Sequence, residues 1–254
     1  MARKGKLKEK TKDVLERPKS VRHYRELIMI VCEDEGTEPY YFNKFKEEFE
    51  RILPYDTVML VPIGSGRNSL GVVRQAVEEK LSSFEKHRKE VDEVWAVFDK
   101  DDLDKQPKTR ENFKKAFEEA AVNGIKIAYS NECFELWLLL HLTEIDSETA
   151  IPRHSKPEEG IIGLYERLEN LINKGRTPET QFKYNHGDKD IVDVILASGN
   201  EDQAINRARS LDEKQKDKDP IEANPNTKVY LLVSHLRELL AWYPDFGNFS
   251  RNAL

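Results

Sequence analysis

Cysteine is almost missing from this chain. Only Cys32 and Cys133 occur in 254 residues, far apart and in apolar contexts. Neither has a partner at zinc-ligand spacing, so both read as reduced core residues. Long apolar runs are missing too. Nothing approaches the length of a membrane span, and the N-terminal stretch lacks the apolar core of a signal peptide. The expectation is a cytoplasmic protein with no membrane partner. No internal repeat is visible, and no Ser-His or Cys-His arrangement suggests nucleophilic catalysis. The one glycine-rich turn, "GSGRNS" (64–69), lacks both the full dinucleotide fingerprint and the P-loop lysine. A tight strand-to-helix turn is the favoured reading, although Arg67 is placed to meet a phosphate.

Charge is what the sequence has in abundance. Asp, Glu, Lys and Arg make up 35% of the residues, and the net charge is −6. Residues 1–25 hold ten Lys or Arg against three acids, a net of +7, which leaves −13 for the remainder. The basic arm is either a solubilising tail or an arm that touches phosphates. It has no apolar periodicity to bury, so flexibility is expected for residues 1–20. The acidic remainder excludes a large basic binding face. A polyanion would have to be held there by local basic patches or by metal ions.

From residue 26 the pattern is strand, turn, helix, repeated. "ELIMIV" (26–31), "TVMLVPI" (57–63), "DEVWAVF" (92–98) and "IKIAYS" (125–130) read as strands. "PYYFNKFKEEFERIL" (39–53), "NSLGVVRQAVEEKLSSF" (68–84) and "NFKKAFEEAAVN" (112–123) read as the helices between them. "CFELWLLLHL" (133–142) is apolar nearly all round and so is expected to be a buried helix. Such alternation implies right-handed crossovers and a parallel sheet flanked by helices. Beyond residue 143 no strand is expected. Helices are read over 158–174, 190–198, 201–211 and 227–243, with a polar loop over 212–226. The organisation expected is a basic arm over 1–25, an α/β domain over 26–143 and a helical annex over 144–254.

In an open parallel sheet, ligands bind beyond the carboxyl ends of the strands. The first strand ends at Glu33, the third at Asp99, Asp101 and Asp102, and the fourth at Ser130 and Asn131, followed by Glu132 and Glu135. Carboxylates crowded onto one edge repel one another unless a cation sits among them. An oxygen-only ligand set points to Mg²⁺ or Mn²⁺. Simpler readings stand beside this one. Asp104 or Asn131 suits a helix N-cap, and Asp-Lys-Asp-Asp suits an exposed turn. Glu135, lying in an apolar helix, requires either a structural cation partner or a site. His141 reads as a core-edge histidine. His154 and His186 sit in loops without ligand-spaced partners.

A strand ending in Glu followed by a later strand ending in D-x-D resembles the Toprim fold of topoisomerases, primases and overcoming-lysogenization-defect-type nucleases. The fuller resemblance is to the RloB-like family, associated with abortive-infection and phage-defence loci. It is carried by "IVCEDEGTEPYYF", "VWAVFDKDD", "GIKIAYSNECFELWLLLHL" and "NPNTKVYLLVSHL". Through it, Glu33 matches the Toprim glutamate, and Asp99 and Asp101 match the D-x-D pair. One departure is that Asp34 follows Glu33 where Toprim motifs often have Gly, with Gly36 two residues further on. The resemblance implies metal-dependent cleavage of nucleic acid, RNA or transfer RNA among the candidates, with an ATPase partner from the same locus.

These readings combine into one expected mechanism. Asp99 and Asp101 hold one or two Mg²⁺ or Mn²⁺ ions, and Glu33 either completes the coordination or moves a proton. Asp102 and Glu135 are second-rank candidates. Arg67, Lys183 and Lys189 are candidates for holding the nucleic-acid backbone. The rival readings are an inactive scaffold or sensor for an ATPase, and a nucleotidyl-transfer enzyme using the same acids. A homo-oligomer is left open.

Overall fold

Adjacent residues of a strand point to opposite faces of a sheet, so a strand apolar at every position must be covered on both. The central strands meet this condition. The computed structural model describes residues 25–53, 57–100 and 107–251, and side chains only as far as residue 243. Its five-stranded sheet has the order β2-β1-β3-β4-β5. The strands are β1 (Glu26–Cys32), β2 (Val58–Gly64), β3 (Glu93–Asp99), β4 (Lys126–Asn131) and β5 (Asn226–Thr227). The first four are parallel, and β5 pairs antiparallel with β4. Pro62 lies in β2, an edge strand, where a missing ladder N–H is tolerated.

Residue parity sorts the two cores. Leu27, Met29, Val31, Val94, Ala96 and Phe98 face α2 (Ser69–His87) and α3 (Pro107–Asn123). Ile28, Ile30, Cys32, Trp95 and Val97 face the other way, into a core shared with α1 (Thr37–Ile52) and α4 (Glu135–Leu140). That second core continues through α5 (Leu164–Ile172), α6 (Asp190–Ser198), α7 (Glu201–Gln215) and α8 (Val229–Arg251). The chain switches faces between β1 and β3, the position where open α/β sheets form their crevice. Among the described residues, no helix is long and apolar enough to cross a membrane.

The boundaries differ from the sequence reading in ways the packing explains. A strand does occur after residue 143, because Thr227 and Asn226 pair with Ser130 and Asn131. The loop expected over 212–226 begins later, at residue 216. Ala204, Ala208, Leu211 and Gln215 recur at helical spacing on one buried face, which carries α7 to Gln215. The helix expected over 158–174 starts only at Leu164, after a turn in which Lys156 and Ile161 pair. Asn131 is not an N-cap. It ends β4, and its amide donates to the carbonyls of Pro220 (3.1 Å) and Ile221 (3.0 Å). Asp104 and residues 1–24 of the basic arm lie outside the described residues.

At the amino end of the sheet, Glu93 gathers a histidine and two donors. His235 Nε2 lies at 3.0 Å, Lys126 Nζ at 2.9 Å and Trp95 Nε1 at 3.1 Å. His235 first, then Lys126 and Trp95, hold the Glu93 carboxyl down to about 2, against the opposing effect of burial. A depressed folded-state pKa contributes stability above the unfolded value, near 4.3, that is lost as pH falls through the folded one. Glu93→Gln is therefore expected to flatten the decline of stability between about pH 4.5 and 2. Urea melts at stepped pH check this, and equal slopes in parent and variant would rule it out.

Candidate metal site at the strand ends

Parity also aims Asp99. It follows Trp95 and Val97 along β3, so its side chain falls on the face where α4 begins. There the nearest ligand atoms of Asp99, Cys133 and Glu135 lie within 4.8 Å of one another, all three residues buried. Asp99 Oδ2 accepts from Arg153 Nη2 at 3.1 Å, and Oδ1 is buried with no hydrogen-bond partner among the described residues. Glu135 Oε1 accepts the Tyr184 hydroxyl and lies 3.5 Å from His186 Nδ1. Its Oε2 is likewise buried without a partner among the described residues.

Glu33 closes the group from β1. Its Oε2 accepts the backbone N–H of Asp99 at 2.8 Å, and its own N–H continues the ladder to the Val97 carbonyl at 2.9 Å. The turn that follows is tied by acids. Glu38 Oε2 accepts the N–H groups of Glu33 (2.9 Å) and Asp34 (3.3 Å). Asp34 accepts from the N–H groups of Gly36, Thr37 and Glu38, capping the otherwise unpaired start of α1. Hydrogen bonding by Asp34 thus shapes a turn that a glycine often serves. Glycine is needed instead at Gly36, where an added Cβ would stand 2.4 Å from the Gly187 carbonyl oxygen. Gly36→Ala is expected to cost about 1–3 kcal/mol and to push away the loop that carries His186. A urea melt checks the first effect and the His186 ring resonance the second. Parental values for both would remove the close approach as a constraint.

The electrostatics are those of crowded carboxylates. Burial raises the Asp99 pKa, followed by the Glu38 charge. Arg153 opposes the rise, and Glu135 and Glu33 add to it. Burial also raises Glu38, with Asp34 and Glu33 reinforcing. Glu135 is the exception: burial alone would lift it, but hydrogen bonds from His186, Cys133 and Tyr184 together hold it below the ordinary value. The Cys133 thiol is driven up by burial, then by Glu135 and Asp99, so it stays protonated. The donors suited to a cation are therefore carboxylate oxygens, and the two unpartnered ones fit a hard divalent ion.

The other expected residues stand as follows. Asp101 and Asp102 lie outside the described residues. Lys100, between Asp99 and Asp101, turns inward to Glu132 Oε1 at 3.0 Å, which Asn224 also holds at 3.0 Å. Arg67, Lys183 and Lys189 are all exposed. Lys189 lines a cavity of about 290 Å³ with Glu35, Gly36, Tyr40 and Gly64. His141 is a core histidine, its Nδ1 3.0 Å from the Trp137 carbonyl. Arg153, Tyr184 and His186 are the contributors that sequence reasoning missed. All three come from loops beyond residue 143, and no spacing in the sequence links them to Asp99 or Glu135.

An open, mainly parallel sheet flanked by helices, with acids at its switch point, defines a Toprim-like α/β protein. The model of the family described as RloB-like protein matches residues 28–236, and the chain belongs to that family. Searches of curated proteins and of solved structures gave no match. The buried acidic group is compatible with a metal-dependent enzyme.

Proposed function

We propose that this protein is a Mg²⁺- or Mn²⁺-dependent nuclease that hydrolyses phosphodiester bonds of RNA or DNA in phage defence. The observation that carries the proposal is the pair of buried oxygens, Asp99 Oδ1 at the end of β3 and Glu135 Oε2 at the start of α4, that have no hydrogen-bond partner among the described residues, close to Glu33. Leaving two buried carboxylate oxygens unsatisfied is costly unless they have a ligand to hold. Asp99 and Glu135, with Glu33, would hold the ion. When bound, such an ion neutralises a phosphate and makes a water more acidic.

The chain's own residues supply the rest. Glu33 locks the ends of β1 and β3 together through the Asp99 N–H. It is only half-buried, unlike Asp99 and Glu135, so it is the carboxylate suited to exchange a proton with water. Tyr184 and His186 fix one oxygen of Glu135, and the other has no hydrogen-bond partner among the described residues. The guanidinium of Arg153 brings positive charge to the same place, where it would attract a phosphate. Arg67, Lys183, Lys189 and the basic arm would add sequence-independent hold on the backbone.

The test is to incubate the pure protein with plasmid, single-stranded DNA and total transfer RNA, each with Mn²⁺, Mg²⁺ or chelator. Strand scission that requires metal and no nucleotide is expected. Scission of nothing under any condition would favour an inactive scaffold partnering an ATPase. Activity only with an added nucleotide triphosphate would favour nucleotidyl transfer.

A further inference from the structure

Glu135 is bordered by more rings than its own hydrogen bonding requires. Tyr184, itself buried, donates to it directly. Beyond Tyr184 stand three more rings. Tyr165 and His186 lie nearly parallel, 12° apart with centroids at 6.1 Å, and the Tyr165 hydroxyl meets His186 Nδ1 at 2.9 Å. A hydrogen bond between a phenol oxygen and a ring nitrogen lies near the plane of both rings, so the two form one continuous shelf. His154 stands against Tyr165 at 5.0 Å, its plane turned by 78°. The His186 side chain is 53% exposed where that of Glu135 is 3% exposed, and His154 is exposed as well. Exposed rings do not serve to wall off a buried carboxylate, a task that Tyr184 already performs.

The shelf is also held in place. Ser155 Oγ accepts the Gly163 N–H at 2.9 Å, and a Cβ on Gly163 would stand 2.4 Å from the His154 carbonyl carbon. The loop bearing His154 is thereby pressed onto the start of α5, which carries Tyr165. On the other side, Asn173 exchanges two hydrogen bonds with Phe182 (2.7 and 2.8 Å), and Glu169 accepts the Tyr184 N–H at 2.7 Å. Exposed cations, Lys156 and Lys183, lie on the same two loops. Fixed, half-exposed rings on loops that also carry cations are the parts from which single-strand sites are made. The rings stack on bases of any identity, and the cations follow the backbone.

We infer that Tyr165 and His186 form a stacking shelf, bordered edge-on by His154, for an unpaired nucleobase next to the acidic site, so that the nucleic acid taken there is single-stranded. This rests on the reading of Asp99 and Glu135 as a phosphodiesterase site. In a duplex the faces of the bases are already occupied by their neighbours, so only a single strand, loop or end can offer one to the shelf.

The experiment measures binding by the full chain in chelator, so that no cleavage intervenes. Labelled single-stranded oligonucleotides of RNA and of DNA are titrated beside a hairpin duplex and a strand of abasic sites. The expected result is tighter binding of the base-bearing single strand than of the duplex. His154→Ala and Tyr165→Ala should weaken that binding on the order of ten-fold and leave the abasic strand unaffected. Tyr165→Phe, which keeps the ring but loses the bond to His186, should weaken binding less than Tyr165→Ala does. His154 is exposed, so its variant remains informative even where Tyr165→Ala fails to fold. The RNA and DNA arms identify which sugar is taken. Alanine variants with parental melting curves that bind the base-bearing strand like the parent would overturn the inference. So would an equal loss on the abasic strand. A separate cleavage assay with Mn²⁺ keeps the two readings apart. Ring-dependent single-strand binding without cleavage supports the shelf and removes the nuclease. Cleavage with ring-independent binding removes the shelf alone.

Discussion

Asp99→Asn and Glu135→Gln are each expected to lower metal-dependent cleavage by at least about two to three orders of magnitude. Both should weaken Mn²⁺ binding in a calorimetric titration run beside the cleavage assay. Each substitution keeps the shape of the side chain and an acceptor for its present donor, Arg153 for residue 99 and Tyr184 for residue 135. What each removes is a negative charge and an oxygen that has no protein partner among the described residues. Without metal, Asp99→Asn loses attraction to Arg153 and gains relief from Glu38, Glu135 and Glu33. These effects oppose each other, so melting in chelator should stay within about 1 kcal/mol of the parent. Glu33→Gln provides the contrast. Its loss of cleavage should exceed its loss of metal affinity if it moves protons rather than completing the coordination. If Asp99→Asn and Glu135→Gln both cut and bind Mn²⁺ like the parent, the site lies elsewhere in the chain.

The strand ends were legible in the sequence because their physics is local. The central apolar runs must be covered on both faces, and the parallel sheet they form brings their carboxyl ends together. Glu33 and Asp99 could therefore be named from position alone, and their contact follows from the β1–β3 ladder. What stayed hidden depends on tertiary packing. β5 is only two residues long, both of them polar, and has no periodicity to detect. Arg153 sits in a loop 54 residues from its partner, so the positive charge facing Asp99 has no sequence signal. Glu135 was legible as an anomaly, an acid in an apolar helix, with two explanations open. The structure supplies something of each, since Tyr184 and His186 hold one oxygen while the other has no partner among the described residues. Asp34 and Glu38 follow Glu33 closely in the chain, and their hydrogen bonds serve the turn into α1.

Arg153→Met should destabilise the metal-free protein by roughly 2–4 kcal/mol. The pair with Asp99 is largely buried, the two side chains being 21% and 10% exposed. Removing the cation leaves Asp99 among Glu38, Glu135 and Glu33 with less to balance it, so the cost is mainly that of an uncompensated buried charge. Two consequences distinguish this from ordinary loss of packing. The first is coupling: in a double-mutant cycle, Arg153→Met should cost much less when residue 99 is already Asn, because the stranded charge is gone. The second is rescue. A divalent ion at the carboxylates replaces the missing positive charge, so Mn²⁺ should raise the melting temperature of Arg153→Met by more than it raises that of the parent. Melting curves of parent, both single variants and the double variant, each in chelator and in Mn²⁺, measure coupling and rescue together. Additive costs and equal Mn²⁺ shifts would mean that Arg153 does not offset the charge of Asp99. Strong coupling with preferential rescue would mean that the arginine and the metal answer the same excess of negative charge.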